Sequence, residues 1–194
     1  MHHIYETQSF VLSATSSGEA DRQFLLYTRE FGLVRAIGQG VRELKSKLRY
    51  SLQPYSHSVV NLVKGRSGWR LTNARLEKNH YQARHGDPMR VMILARVFSL
   101  LRRMLHGEEQ NKQLFDAVAG GLAFLESAQD ISLPEVELVI VLRILYHLGY
   151  VGSSPSFSSA LVNGVWDTTL LSEAVRERRA VLRSVNESLK ASHL

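Results

Sequence analysis

The chain has 194 residues, 44% of them hydrophobic, with a formal net charge of +6 and no cysteine. That is enough apolar material for one good core or two small ones, so compositional disorder is excluded. The lack of thiols removes disulfides, thiolate metal sites and a cysteine nucleophile together. No apolar run approaches the ~18 residues of a membrane span, and the longest, Val136 to Leu148, is broken by Glu137 and Arg143. The N-terminus Met1-His2-His3-Ile4-Tyr5-Glu6 lacks the layout of a secretion signal, so a soluble cytoplasmic protein is expected.

Two patterns divide the chain near residue 80. Before it, short runs rich in β-branched and aromatic residues alternate with Gly, Pro or Asp, which predicts strands over Tyr5–Ser13, Arg22–Thr28, Leu33–Ile37, Ser56–Val63 and Gly68–Arg75. Thr28 to Gly32 and Gly65-Arg66-Ser67-Gly68 are hairpin connections, the first with Gly32 available for a positive φ. After it, apolar spacing of three and four marks a helix on Val91, Leu94, Ala95, Phe98, Leu101 and Leu105, with Asp87 as cap and Pro88 in the first turn. Further helices are predicted from Asn111 to Ser127, from Leu133 to a stop at Gly149, and from Thr168 or Thr169 to the C-terminus. The stretch 152–159 reads as a Ser-rich loop. The fold class is therefore α+β: a five-stranded β-barrel in a domain over 1–80, then an all-α helical domain over 81–194. An OB-fold suits five strands with a basic surface, although strand count and length alone also allow an SH3-like barrel.

The charge is local. Residues 1–80 hold 12 Lys/Arg against 6 Asp/Glu, whereas residues 81–194 hold 12 against 12. Such an excess attracts a polyanion and releases its condensed counterions, which makes nucleic acid the first partner to test; a basic protein kept soluble by its charge is the plainer reading. The candidate contacts are Arg35, Arg42, Lys45, Lys47, Arg49, Lys64, Arg66 and Arg70. Gly38 and Gly40 are expected to let the backbone of this track approach a phosphate, and a solvated loop is the alternative. Tyr27, Tyr50, Tyr55 and Trp69 are the rings available to stack on bases, with core packing the commoner fate; Tyr50 and Tyr55 flank the basic stretch.

No catalytic set converges. Asp21 and Arg22 are adjacent on a strand and point to opposite faces, so a turn contact suits them better than acid–base work. Gly38-Gln39-Gly40 is followed by no Gly-Lys-Ser/Thr, no Gly-x-Ser-x-Gly elbow is present, and the histidines, His147 among them, lack metal-ligand spacing. No enzyme, no cofactor and no metal are expected. In the helical half, Arg102 and Arg103 follow an apolar stripe and Arg143 lies within one; the three are candidates for holding an acidic, apolar-tipped peptide at a groove edge, with ordinary surface or interhelix arginines the plainer reading of each.

The first half resembles the RecO family of recombination mediators. The resemblance is carried in order by Tyr5-Glu6-Thr7, Gly18-Glu19-Ala20-Asp21-Arg22, Tyr27 to Gly32, Ile37 to Arg42, Lys45 to Arg49, Leu52 to Tyr55, Leu62 to Gly65 and Trp69-Arg70-Leu71. Leu145 to Tyr150 is a weaker match in the helical half. The resemblance implies an OB-fold, binding of single-stranded and double-stranded DNA, annealing of strands coated with single-strand-binding protein through that protein's C-terminal tail, and work with RecR in loading RecA. Many members carry a four-cysteine zinc module after the segment matched by Leu148-Gly149-Tyr150; here the Ser-rich loop stands in its place. An RNA-binding accessory factor and a protein-interaction scaffold are the rival expectations.

Overall fold

A computed structural model describes residues 3–43, 45–84, 86–152 and 156–192. Met1, His2 and residues 153–155 of the Ser-rich loop lie outside the described residues. The chain separates into two compact units, one of Met1–Gly86 with Leu105–Lys112, the other of Asp87–Met104 with Gln113–Leu194.

The first unit is a closed barrel in the order β1-β2-β3-β5-β4, built from β1 (Ile4–Ser17), β2 (Asp21–Thr28), β3 (Gly32–Gly38), β4 (Ser56–Gly65) and β5 (Gly68–Asn79). This is the OB-like barrel expected from five short strands, with β1 and β5 each running four residues past the predicted ends. Alternation explains the interior: Val11, Phe24, Leu26, Val34, Ala36, Val60, Leu62 and Leu71 fill one core, joined by Leu52. A register shift between Val11 and Ser13 bends β1 so that its first half pairs with β4 and its second with β2. The short helix α1 (Leu48–Ser51), unforeseen from sequence, leads into Leu52, and Ser58 Oγ donates to Ser51 O at 2.6 Å.

One seam of the barrel is short. β3 and β5 pair only through Ala36, Ile37 and Gly38, which leaves the start of β3 without a strand on its β5 side. The segment 105–112 covers that edge: Leu33 N donates to Gly107 O at 3.0 Å, Gln110 Nε2 to Glu30 O at 3.0 Å, and Tyr27 Oη to Asn111 O at 3.2 Å. Gly32 sits at φ +65° with Glu109 so close that an added Cβ would lie 2.2 Å from its carbonyl oxygen. Leu105, expected on a helix stripe, belongs to this strap instead, because the helix ends one residue earlier.

The second unit contains α2 (Pro88–Met104), α3 (Lys112–Ser127), α4 (Leu133–His147), α5 (Ala160–Asn163), α6 (Thr168–Arg176) and α7 (Arg178–Ala191). Asp87 caps α2 through Arg90 N at 3.1 Å. Gly149, at φ +78°, ends α4: Tyr150 N donates to Leu145 O and Gly149 N to Tyr146 O, the paired bonds of a Schellman stop. The last predicted helix is two helices, broken at Glu177, whose carboxylate accepts Ser158 N at 2.7 Å. Val139, Leu142, Leu145, Leu161, Leu170, Val181 and Val185 form its core. Gly120 and Gly121 in α3 make room for Trp166, which stacks on Phe124 at 5.6 Å.

Candidate nucleic-acid interface

In β3 the residues Gly32, Val34, Ala36 and Gly38 are buried, so Leu33, Arg35 and Ile37 face out. β2 sets Leu25 beside Arg35 and Gln23 beside Ile37. This outer face, the turn residues Ser67 and Gly68, Trp69, and strap residues 105–108 enclose a groove of about 490 Å³ within the barrel unit. The face of strands two and three is where OB-folds take oligonucleotides. The groove has an apolar floor of Leu33 and Ile37, Arg35 in its lining, and polar Gln23 and His106 at hand.

The ladder gathers the other cations of this end. Arg70 is the β5 partner of Ile37, and Arg66 stands exposed at the tip of the β4–β5 turn. Lys64 pairs across the ribbon with Trp69, its Nζ 5.0 Å from the indole ring and 2.7 Å from Glu108 Oε2. Glu108 Oε1 accepts the Trp69 indole N–H at 2.9 Å. The hydrogen bond from Lys64, aided by that from Trp69 and opposed by partial burial, holds the Glu108 carboxyl below the usual carboxylate range. Among the described residues Arg35, Arg66 and Arg70 have no acidic partner.

Arg42 sits elsewhere on the barrel, tied to the β1–β2 turn by Nη1 to Gly18 O at 2.9 Å and by its N–H to Ala20 O at 2.9 Å. Lys45, Lys47 and Arg49 follow, all exposed, with Arg49 and the 74% exposed Tyr50 on α1. Ser58, which bonds α1, pairs with Leu76, eight residues along β5 from Gly68. At ~3.3 Å per residue these cations stand roughly 26 Å of strand contour beyond the turn. Of the ten candidate residues, Arg35, Lys64, Arg66 and Arg70 form a turn-end set at the groove and Lys45, Lys47, Arg49 and Tyr50 an α1 set further along, while Arg42 lies at the β1–β2 turn and Tyr55 just before β4.

Gly38 and Gly40 each have a structural reason within the fold. A Cβ on Gly38 would lie 2.7 Å from Val41 Cγ2 and 2.9 Å from Phe24 Cε2, so its smallness serves the core. Gly40, at φ +62°, gives its N–H to Asp21 Oδ1 at 2.9 Å, which is also the turn contact expected for Asp21. Of the four rings, Tyr27 is fully buried and Trp69 nearly so. Tyr55 is half-buried at φ +69° and stacks on Tyr81 at 6.0 Å, which leaves Tyr50 as the open ring of the four.

The three helical arginines part company. Arg102 and Arg103 are exposed on the last turn of α2. Arg143 is buried instead of standing at a groove edge: its Nε donates to Leu161 O at 2.9 Å, its Nη2 to Gly164 O at 2.6 Å, and its guanidinium lies 4.4 Å from the Trp166 ring centre. Burial lowers it to about 10, so it stays cationic at neutral pH while capping α5. Sequence reading also missed Gln23, Leu33, Ile37, His106 and Glu108. The pair Glu108-Glu109 after Gly107 was the one available signal, and nothing local shows that it returns to the barrel. The chain has no cysteine, and among the described residues no group of three His, Asp or Glu side chains could hold a metal ion, so its residues do not fit a four-cysteine zinc module.

The sequence model of the family described as "Recombination protein O N terminal" matches residues 1–80, and that described as "Recombination protein O C terminal" matches residues 85–184. Proteins named DNA repair protein RecO are similar to this chain. That of Alkaliphilus metalliredigens is 28% identical over 163 residues, 83% of this chain and 63% of the relative. That of Heliobacterium modesticaldum is 34% identical over 147 residues, 76% and 52% respectively. In Thermobifida fusca the match is 44% over 64 residues, 33% of this chain and 26% of the relative. The chain thus spans between half and two thirds of the first two relatives.

Proposed function

The chain belongs to the RecO family, and from that premise we propose that it acts as a DNA repair and recombination mediator that performs no bond chemistry. It binds single-stranded and double-stranded DNA, anneals strands coated with single-strand-binding protein, and helps load RecA together with RecR. The observation that carries the DNA reading is the groove on the β2–β3 face, with an apolar floor for bases and Arg35, Arg66 and Arg70 beside it for phosphates. The name of the two relatives, DNA repair protein RecO, agrees with it.

In this mechanism the strand lies across β2 and β3 with its phosphates toward the turn-end cations, and the α1 set extends the path. Neutralising phosphates lowers the repulsion between two complementary strands, which is the barrier an annealing factor must reduce. Arg102 and Arg103 are the cations proposed for the acidic tail of single-strand-binding protein, delivering the mediator to coated strands.

The test is an annealing assay with and without single-strand-binding protein, beside a salt titration of binding to a labelled single strand. With about four to six phosphates neutralised, log affinity should fall against log salt with a slope of roughly −3 to −4. A flat titration, or a preference for structured RNA over single-stranded DNA, would overturn the assignment.

A further inference from the structure

Glu108 is a carboxylate held at the edge of a cationic groove by two donors, one charged and one neutral, with Arg35 lining the same groove. That donor set, an ammonium and an N–H around a doubly accepting anionic oxygen pair, is also what a phosphodiester needs. We propose that Lys64 Nζ and Trp69 Nε1 form a phosphate seat for the bound strand, and that the protein's own Glu108 fills it in the free state. The inference rests on the DNA-binding reading above and names a subsite within that groove.

The backbone of the strap is fixed. Gly107 O accepts Leu33 N, Asn111 O accepts Tyr27 Oη, and Glu109 lies against Gly32. Exchange therefore involves the Glu108 side chain alone, which swings out while the strap stays in place. The pair it leaves is exposed, Lys64 at 55% and Glu108 at 43%, and pairs of that kind hold weakly. A strand that brings a phosphate to the seat, already attracted by Arg35, Arg66 and Arg70, replaces one anion by another with no charge left buried alone. Trp69 keeps its hydrogen bond in both states. The cost is that Lys64 adds nothing to long-range attraction while Glu108 neutralises it, so Glu108 sets the groove's affinity below what its cations would otherwise reach.

The experiment measures affinity for a fluorescent oligothymidine against salt, using the full chain, for Glu108→Gln, Glu109→Gln and Glu108→Gln combined with Lys64→Gln. In the unaltered protein the displaced carboxylate stays beside the strand and offsets the phosphate contact of Lys64, whereas Glu108→Gln leaves no such charge, so the variant should steepen the slope by about 0.7 and raise affinity about fivefold at 0.1 M salt, with the gain vanishing toward 1 M. The gain should disappear in the Lys64→Gln background. Glu109→Gln removes the same charge from the same strap without freeing a cation and should leave the slope unchanged. Equal gains from both single variants, with no change of slope, would mean that only the general field matters and would overturn the seat. Loss of affinity together with a lower melting temperature in Glu108→Gln would make Glu108 a structural tie and overturn it too. If the unaltered protein binds no oligonucleotide at all, the DNA reading itself fails and takes the seat with it, whereas salt-dependent binding with no gain in Glu108→Gln sinks the seat alone.

Discussion

The two units use the same side chain for opposite ends. In the barrel, Arg35, Arg66 and Arg70 are exposed and without an acidic partner among the described residues, so their charge is available to a ligand. In the helical unit, Arg90 and Arg143 are buried and occupied with backbone carbonyls. Arg90 donates through Nε to Leu125 O at 3.0 Å and through Nη2 to Ala128 O, closing the C-terminal end of α3, while Nη1 meets Asp87 and Asp130. Arg96, Arg176 and Arg178 pair with Glu137, Glu173 and Glu135. Charge balance favours the contrast without making it a rule: where acids match the cations in number, Arg90, Arg96, Arg143, Arg176 and Arg178 cap or bridge although Arg102 and Arg103 stay exposed, and where cations are in excess Arg35, Arg66 and Arg70 face solvent although Arg29 and Arg75 are paired.

Removing a buried arginine should break that contrast hardest. Arg90→Ala leaves two helix-end carbonyls and two carboxylates short of donors and should cost about 3–5 kcal/mol. Because one tryptophan, Trp166, lies in the helical unit and the other, Trp69, in the barrel, denaturant unfolding followed in Trp69→Phe and Trp166→Phe backgrounds will locate the loss. It should fall on the helical signal; an equal loss on both would refute the division of labour. Next in size, Gly32→Ala forces a left-handed φ on alanine and drives its Cβ into the Glu109 backbone, for about 2–4 kcal/mol on the barrel signal.

Charge reversal sharpens the comparison from the ligand side. Arg35→Glu with Arg70→Glu removes two phosphate contacts and should weaken single-strand binding about 25-fold at 0.1 M salt, alike for all sequences. Lys47→Glu with Arg49→Glu, in the α1 set, should cost less; a larger loss there would move the main track away from the groove. The smallest effect is on pH dependence. Burial, with the nearby His80, lowers His57 from its ordinary 6.5, and burial with Arg143 lowers His147 likewise. Each is then neutral in the fold and takes up a proton more readily when unfolded, so stability present above pH 6.5 should decline as pH falls below it. Melting temperatures from pH 7.5 to 5.5 should show the decline, and His57→Asn should flatten it.

Local chemistry made much of this molecule legible. Alternation over β2–β5, Gly32 at a hairpin, Asp87-Pro88 at a helix start and Gly149 at a helix stop are all read from neighbours within a few residues, and each is where the structure has it. The excess of cations in the first 80 residues was likewise plain, because charge is a property of composition.

Partnership was not legible. Whether Arg143 meets solvent or the α5 carbonyls depends on residues 18 and 21 positions away, and whether Lys64 is free depends on Glu108, 44 positions away. Gly38 looks like a phosphate loop in one dimension and is a packing glycine in three, since Val41 and Phe24 close over it. Periodicity carried Leu105 into a helix because it registers only apolar spacing; the short β3–β5 seam, an unpaired edge created by topology, is what draws residues 105–112 back to the barrel. Chain chemistry thus decided the elements and the sign of the surface, whereas the choice of which charges remain available for a ligand was made by long-range contacts that only the folded chain brings about.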